Sequence, residues 1–587
     1  MPKIEVNEEL FFALVGKRWG TRDEFELALS CAKAELDEDS DKSAPLAERI
    51  LKIELNDTNR PDLWSTAGCA RQLRIYHCGK NPFYPFFSLP GDMKEARKKV
   101  EVEASVQKVR PFLAGFVATG NKVSDASLCD LIQTQEKLAG NFGRKRSTVS
   151  MGIYRSSLIK WPIHYRAVAP DSVSFVPLQW DSALTLSEIL KQHPKGKEYA
   201  YIQENEPLHP LLVDAKGGVL SYPPIINSAD IGAVKPGDSD MFIELTGTDM
   251  PSVALCASIV ACDLADQGWT IEPVEISSEF ETPFGKKWTS PFYFQAPVFC
   301  STARVERYLG EAINGKDSVC ALERMGVKAE RTKGAELYAI KNGSNEIVDG
   351  IRAFPPVYRN DFLHAADVME DVMIGRGLST FAPQKPNDFT IGRLSEETLF
   401  SRKIKGILTG LGFQEMIYNY LGSKADLIDK MEGGAAEKIV RIENPMSENY
   451  EYVRNSIIPY LLESESVSAN AAYPHKIFEV GKVAYKENSK NYGVATRQYA
   501  GILHAANDAN FNTIAAAIQT LFYYISREYT VKEVEDSRFI AGRSAVIAHN
   551  GKHIGIFGEI HPQVLENHNI TVPCTACEFD VDVLITQ

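Results

Sequence analysis

Apolar residues recur at two spacings along the chain, and each spacing predicts a different kind of element. A helical spacing of about three to four residues runs from Ser65 to Tyr76, from Ser127 to Leu138 and from Glu396 to Gly410. Ser65 and Ser395 stand where a side-chain oxygen can cap the first turn. The last helix shows the pattern most fully, with apolar side chains at Phe400, Ile404, Ile407, Leu408 and Leu411. Each helix is therefore expected to bury one face.

Runs rich in β-branched and aromatic residues predict strands in two stretches of the chain. In the first stretch, strands are expected at Val100 to Val109, Phe112 to Ala118 and Met241 to Gly247. The second stretch lies near the C-terminus, with strands predicted at Gln414 to Tyr420, Ile477 to Tyr485, Tyr499 to His504, Ser544 to His549 and His553 to Phe557. This second set favours a mostly antiparallel sheet flanked by helices.

Length and element order together predict a multidomain α+β protein. A chain of 587 residues exceeds what one hydrophobic core organises, so about three to five domains are expected. Two helices ending at Gly310 and Gly326 precede short strands, an order that resembles a helix-turn-helix with a wing. The predicted domains are an N-terminal α/β domain at 1–85, a strand-rich domain at 90–275, a winged-helix-like domain at 290–375 and a C-terminal domain at 376–587.

Composition and charge exclude several functional classes. Hydrophobic residues make up 44% and charged residues 24%, as in ordinary folded proteins, and no apolar run is long enough to span a bilayer. A net charge of −13 argues against a surface that grips nucleic acid everywhere, although basic clusters at 94–99 and 143–146 could do so locally. The ten cysteines are scattered, so reduced thiols in the cytoplasm are expected. Cys574 and Cys577 form a CxxC pair that lacks the other ligands of a zinc site.

Two polar side chains share one side of a predicted strand. Because side chains in a strand alternate, Glu244 and Thr246 face one way while Ile243 and Leu245 face the other. This pattern is typical of a solvent-facing edge strand, and it also suits a pocket wall held by a rigid strand.

An acidic segment gives the sharpest local pattern. Asp367, Glu370 and Asp371 are spaced to lie on one helical face, opposite an apolar stripe of Phe362, Ala366, Met369 and Met373. Asp361 stands just before this helix and could add a fourth carboxylate. A hard cation would convert their repulsion into attraction by taking oxygen ligands. The alternatives are an exposed acidic face, or ion pairs with Arg359 and Arg376.

Six motifs in order along the chain resemble those of phenylalanine-tRNA ligase β subunits of the archaeal and eukaryotic type. They are Asn59-Arg60-Pro61-Asp62-Leu63, the segment Leu131 to Leu138, Pro223-Pro224-Ile225-Ile226-Asn227, Thr246-Gly247-Thr248-Asp249, Asn444-Pro445-Met446-Ser447 and Gly558-Glu559-Ile560-His561-Pro562. Each motif is weak evidence alone, but the six occur in the family's order and together span nearly the whole chain. The chain has no room for the additional RNA-binding modules of the longer bacterial form.

The resemblance implies partners, cofactors and a fold for the C-terminal domain. It implies a tetramer of two α and two β chains in the cytoplasm that uses ATP, bound in the α subunit, to charge tRNA(Phe), without membrane or DNA binding. Magnesium is implied at Asp361, Asp367, Glu370 and Asp371. The C-terminal domain resembles a degenerate class II synthetase core. Phe478 to Gly481 and Gly558 to Ile560 stand where its strands would be, but no ATP-clamping arginine occupies the expected place.

The resemblance also implies that the strand-rich domain edits tyrosyl-tRNA by hydrolysis. Glu244 is the expected acceptor for the tyrosine hydroxyl, with Thr246, Ser221 and Gln135 placing the ester and a hydrolytic water, and Arg144, Lys145 and Arg146 holding the tRNA end. The chain departs from its relatives at Arg155, where an acid is usual, and at Ser228, where glycine is usual. Both departures bear on whether editing is retained.

Two other functional classes are compatible with these patterns. One is a non-enzymatic RNA-binding or assembly scaffold in which the synthetase-like core and the pocket are relics. The other is a winged-helix DNA regulator, which the acidic charge balance disfavours.

Overall fold

A computed structural model describes residues 2–338, 345–387, 390–434, 436–468 and 470–585. The chain forms two compact units, residues 1–384 and residues 385–587. Both units mix helices with sheets, in agreement with the predicted multidomain α+β class. No helix among the described residues is long and apolar enough to cross a membrane.

The first unit begins with a small three-stranded antiparallel sheet packed on helices. Its elements are β1 (Lys3–Asn7), α1 (Glu8–Val15), α2 (Arg22–Leu29), β2 (Ala34–Glu38), β3 (Ile50–Leu55) and α3 (Thr66–Cys78), with strand order β1-β3-β2. The predicted helix is confirmed as α3. The Ser65 hydroxyl caps it by accepting from Gly68 N, and Gly79 ends it with φ of 64°.

A ten-stranded sheet dominates the rest of the first unit. Its strands and the two short strands beside it are β4 (Lys98–Val102), β5 (Phe112–Thr119), β6 (Val149–Arg155), β7 (Ile163–Val168), β8 (Ser174–Phe175), β9 (Leu184–Thr185), β10 (His209–Val213), β11 (Val219–Tyr222), β12 (Ile226–Asn227), β13 (Asp240–Gly247), β14 (Thr270–Ser278) and β15 (Lys287–Ser290). The accompanying helices are α4 (Asp125–Lys137), α5 (Leu186–Gln192), α6 (Pro194–Tyr199) and α7 (Met250–Asp266). The predicted strand at Val100 to Val109 was wrong beyond Val102, because a short 3₁₀ turn follows at Ala104–Val106.

The first unit ends in a helical pair with a three-stranded sheet. Its elements are β16 (Val298–Ser301), α8 (Thr302–Leu309), α9 (Gly315–Arg324), β17 (Lys328–Tyr338), β18 (Asn345–Phe354) and α10 (Ala365–Arg376), with strand order β16-β18-β17. The predicted apolar stripe on α10 was only partly right. Val368, Val372 and Asp371 are buried, whereas Ala366 and Met373 are half-buried.

The second unit is built on a seven-stranded sheet. Its elements are α11 (Glu396–Gly410), β19 (Gln414–Glu415), β20 (Leu421–Gly422), β21 (Val440–Arg441), β22 (Tyr452–Val453), α12 (Ile458–Ser466), β23 (His475–Lys486), β24 (Val494–Ala505), α13 (Phe511–Ile525), β25 (Thr530–Glu533), β26 (Phe539–His549), β27 (Lys552–Ile560), α14 (Pro562–Asn567), β28 (Cys574–Asp580) and α15 (Asp582–Ile585). The sheet order is β19-β23-β24-β28-β27-β26-β25. Only β19 and β23 pair in parallel, so the predicted antiparallel character is confirmed.

Successive residues of β24 belong to two different apolar cores of the second unit. Ile502 packs with α11 and α13, whereas Leu503 packs with α12. Because neighbouring side chains of a strand face opposite sides, the two cores cover the two faces of this sheet. The predicted strand at Gln414 to Tyr420 is much shorter, at Gln414–Glu415, and the fully buried β28 was not predicted as a strand.

Candidate functional site

Glu244 lies in β13 between two glycines of the neighbouring strands. Gly115 of β5 and Gly152 of β6 are its register partners on either side. A Cβ atom on Gly152 would lie 2.6 Å from Glu244 Oε2 and would also collide with the Tyr154 hydroxyl. Glycine is therefore required where these two polar groups meet above the sheet.

A short polar chain joins Ser221, Tyr154 and Glu244. The Tyr154 hydroxyl oxygen lies 2.8 Å from Glu244 Oε2 and 2.8 Å from Ser221 Oγ. A phenol has a single proton, so Tyr154 can donate to the carboxylate while it accepts from Ser221. The other carboxylate oxygen, Oε1 of Glu244, has no hydrogen-bond partner within the described residues although Glu244 is only 2% exposed. This oxygen is a buried acceptor awaiting a donor.

Burial raises the pKa of Glu244 to about 7. The hydrogen bond from Tyr154, the nearby Thr246 hydroxyl and the charge of Arg110 oppose this rise without cancelling it. Both protonation states of Glu244 are therefore populated near neutral pH, as is common for functional carboxylates.

Thr246 is held behind the pocket wall by a buried arginine. Arg110 donates from Nε to Thr246 Oγ1 at 3.0 Å and from Nη2 to Thr246 O at 2.7 Å. Burial lowers the pKa of Arg110 to about 10. Glu244 and Thr246 are both buried, so the solvent-facing edge considered for this strand was wrong. Thr246 is not among the residues that line the cavity beside Glu244.

A cavity of about 400 Å³ opens beside Glu244. Its polar lining includes Gln135, Ser150, Tyr154, Ser221, Asn227 and Glu244. This volume is within the range of small-molecule sites, about 300 to 1,000 Å³. Three of the four residues predicted for editing, Glu244, Ser221 and Gln135, are thus brought together around one cavity. Tyr154 was missed, since nothing in its local sequence links it to Glu244.

The predicted RNA-binding residues form one turn before β6. Arg144, Lys145 and Arg146 all have left-handed backbone, with φ of 50°, 52° and 68°. Arg146 lines the cavity, donates from Nη1 to Ile225 O at 3.0 Å and packs 4.3 Å from the Tyr199 ring centroid. The side chains of Arg144 and Lys145 are exposed. Arg146 therefore shapes the cavity wall, while the other two are available to a ligand.

The two departures from the family pattern lie outside the cavity. Arg155 donates to the backbone oxygen of Asp230. Ser228 is buried and donates from its backbone N to Leu220 O at 2.9 Å. Neither Arg155 nor Ser228 lines the cavity, so neither changes the groups that face a ligand there.

The acidic segment is arranged around a buried arginine. Arg359 donates to Asp361 from Nε at 2.9 Å and from Nη2 at 2.6 Å, and to Asp371 from Nη1 at 2.6 Å. Although burial raises the pKa of Asp361, the Arg359 guanidinium outweighs it and holds that pKa at about 2. Asp367 accepts from the backbone N of His364 at 2.8 Å, and Glu370 from Lys33 at 2.7 Å.

The four carboxylates of the predicted magnesium site are not gathered into one group among the described residues, and the site stays a prediction. Throughout the part of the chain that the structure describes, no three His, Cys, Asp or Glu side chains form a group that could hold a metal ion. Arg359 already neutralises Asp361 and Asp371, and the other two carboxylates have separate partners. The ion-pair alternative with Arg359 is the one observed, whereas Arg376 pairs with Glu311 instead.

Arg359→Ala is expected to lower the free energy of unfolding of the first unit by about 3–5 kcal/mol, because it leaves two buried carboxylates without their partner. Denaturant unfolding of the purified variant measures this loss. The matched control is Arg376→Ala, whose ion pair is partly exposed and is worth about 1 kcal/mol or less. Equal effects of the two variants would contradict the ion-pair assignment.

Two buried arginines of the second unit are paired with carboxylates. Arg454 is fully buried and donates to Glu479 from Nη1 at 2.7 Å and from Nη2 at 2.8 Å. Arg538 donates to Glu578 at 2.9 Å. These guanidinium groups are therefore already neutralised and are not available to grip a nucleotide phosphate.

The CxxC pair contributes no metal site among the described residues. Cys574 and Cys577 are free thiols, buried in β28. Burial raises the pKa of both thiols, which opposes formation of the thiolates that zinc requires.

Comparisons with known proteins give the class of the chain first. The tRNA synthetase B5 domain matches residues 298–378, and the phenylalanyl tRNA synthetase beta chain CLM domain matches residues 383–581. Together with the mostly antiparallel sheet of the second unit, these matches define the chain as a component of an aminoacyl-tRNA synthetase.

Full-length relatives then give the family. The chain is 45% identical to a phenylalanine–tRNA ligase beta subunit of Treponema pallidum and 45% identical to one of Borrelia garinii, with complete coverage of both chains in each case. A crystal structure of an N-terminal fragment of the phenylalanyl-tRNA synthetase beta subunit from Pyrococcus horikoshii matches 64% of this chain and all of the fragment, with 30% identity and a TM-score of 0.56. The chain belongs to the phenylalanine–tRNA ligase β subunit family.

Proposed function

We propose that this chain, together with an α subunit, attaches phenylalanine to tRNA(Phe) with ATP, and that it supplies assembly, tRNA contacts and hydrolytic editing of tyrosyl-tRNA. Full-length similarity to β subunits at 45% identity supports the ligase role. ATP and magnesium act in the assembled enzyme, with ATP bound by the α subunit. The ion pairs that neutralise Arg454 and Arg538 in the second unit support this division of labour.

Each part of the chain has a proposed task. Residues 1–85 form an N-terminal module, 90–275 the editing and tRNA-binding module, 290–375 a winged-helix-like module, and 376–587 a degenerate class II core. The archaeal and eukaryotic type is proposed from the sequence motifs and from similarity to the Pyrococcus fragment. The relatives from Treponema and Borrelia are bacterial, so their source does not assign this type.

The unpartnered Oε1 of Glu244 carries the editing proposal. An apolar pocket rejects an added hydroxyl poorly, by about a hundredfold, so a synthetase that selects phenylalanine also charges some tyrosine. A buried acceptor solves this problem because the tyrosine hydroxyl satisfies it, whereas phenylalanine leaves it unpaired. Gln135 and Ser221 line the same cavity and are proposed to place the ester and the attacking water. Thr246 is proposed to act indirectly, by fixing Arg110 and β13.

Assembly is tested by expressing the chain together with the α subunit of its source. We expect the two chains to copurify at equal stoichiometry, with a native mass equal to two of each, because the family is named for separate subunits. Native mass spectrometry measures the composition, and the chain expressed alone is the control. Recovery of the chain without any α subunit after coexpression contradicts the proposal.

A further inference from the structure

A second cavity of the first unit, of about 1080 Å³, lies on the other side of the Arg144–Arg146 turn. Arg144 lines this larger cavity, and Arg146 lines the smaller one beside Glu244. The lining of the larger cavity also includes Trp64, Lys137, Asn141, Thr248 and Asp249. Arg144 and Arg146, with only Lys145 between them, therefore line different cavities.

Positive charge exceeds negative charge in the lining of the larger cavity. Lys3 also lines it but is neutralised by Asp37 at 3.0 Å and Glu54 at 3.4 Å. The side chains of Lys137 and Arg144 make no hydrogen bond or ion pair with any described residue. Asp249 is the carboxylate in the lining, and it accepts from Ser252 N at 3.0 Å as the cap of α7. Two free cations thus face one carboxylate that is already engaged.

A buried donor in the same lining has no acceptor. Trp64 is 3% exposed, and its indole Nε1 has no hydrogen-bond partner within the described residues. An unsatisfied buried donor costs about 1–3 kcal/mol. The cationic side chains of Lys137 and Arg144 and the indole N–H of Trp64 would all bind a ligand with anionic oxygens that accept hydrogen bonds. Phosphodiester groups carry such oxygens.

We propose that this larger cavity binds backbone phosphates of the tRNA acceptor strand, whose aminoacylated end enters the cavity beside Glu244. The inference rests on the proposed editing function and adds Lys137 and Trp64 as positioning residues. Lys137 and Arg144 pair with phosphate, and the Trp64 indole donates to a phosphate or ribose oxygen. The turn between the cavities then sets how far the terminal ester reaches toward Glu244.

The test uses the assembled α and β complex and measures tyrosyl-tRNA deacylation at several salt concentrations. Lys137→Ala is expected to raise KM about tenfold, with a much smaller change in kcat, because one phosphate contact is lost. The slope of log(kcat/KM) against log salt should become shallower by about 1. Lys137→Arg keeps the charge and should restore most of the loss. Lys122→Ala is the matched control, since Lys122 is an exposed lysine outside both cavities.

A substrate without phosphates separates this subsite from the editing assignment. Lys137→Ala should raise KM for tyrosyl-tRNA about tenfold more than it raises KM for 3′-O-tyrosyl-adenosine. An equal effect on both substrates, or an unchanged salt slope, overturns the subsite. A third outcome also overturns the subsite: millimolar inorganic phosphate stabilises the unaltered chain but not Lys137→Ala, and Lys137→Ala leaves KM for tyrosyl-tRNA unchanged. The cavity would then be a site for free anions. The Glu244→Ala result in the same assay decides the editing function independently.

Discussion

Glu244→Ala in the assembled enzyme is expected to collapse the preference for hydrolysing tyrosyl-tRNA over phenylalanyl-tRNA, from about 10⁴ toward 1. The reason is that Oε1 of Glu244 is the buried acceptor without a protein partner beside the cavity. Once the carboxylate is removed, the tyrosine hydroxyl gains nothing there and phenylalanine no longer leaves a charged group unpaired. Deacylation rates of the two aminoacyl-tRNAs, measured side by side, give the ratio.

Glu244→Gln and a pH series refine this experiment. Because burial raises the pKa of Glu244 to about 7, the ionised fraction grows as pH rises from 6 to 8, and discrimination should grow with it. The amide keeps an acceptor oxygen but cannot titrate, so this variant should retain part of the preference and lose the pH dependence. An unaltered enzyme that hydrolyses both aminoacyl-tRNAs equally at every pH refutes the role given to Glu244.

The chain purified alone is expected to form no phenylalanyl adenylate, whereas addition of the α subunit should give full tRNA charging. Activation of an amino acid needs positive groups at the transferring phosphates. In the second unit, Arg454 and Arg538 are instead neutralised by Glu479 and Glu578. Phenylalanine-dependent exchange of pyrophosphate into ATP measures adenylate formation directly.

The control for this experiment is the α subunit assayed alone at the same concentration. It reports how much of the charging activity needs the β chain at all. Exchange by the isolated β chain at a rate comparable with the complex would show that its second unit binds ATP productively, and the degenerate-core interpretation would then fail.

Helices with strong local patterns were predicted well. Helix α3 begins after the Ser65 cap, and α11 runs from Glu396 to Gly410 as the apolar spacing indicated. Both depend on interactions within a few residues of the chain, which a sequence displays directly. Glu244 and Ser221 were instead proposed from the family resemblance, and both line the same cavity.

Features that depend on distant partners could not be predicted in this way. Strand β28 contains Glu578 and Asp580 yet is buried throughout, because Arg538 and Ser456 satisfy Glu578 from other parts of the chain. Tyr154 reaches Glu244 only through the pairing of β6 with β13. In the acidic segment, the spacing of the carboxylates left open whether Arg359 pairs with them, and the structure shows that it donates to both Asp361 and Asp371.

The alternation of Ile502 and Leu503 between the two cores limits how β24 can evolve. Substituting one apolar residue for another alters a single core, and the change is felt on one face only. Inserting or deleting one residue would instead move every later side chain of the strand to the opposite face of the sheet, and so into the other core. Homologous chains should therefore vary in the identity of these side chains while preserving the length of this strand.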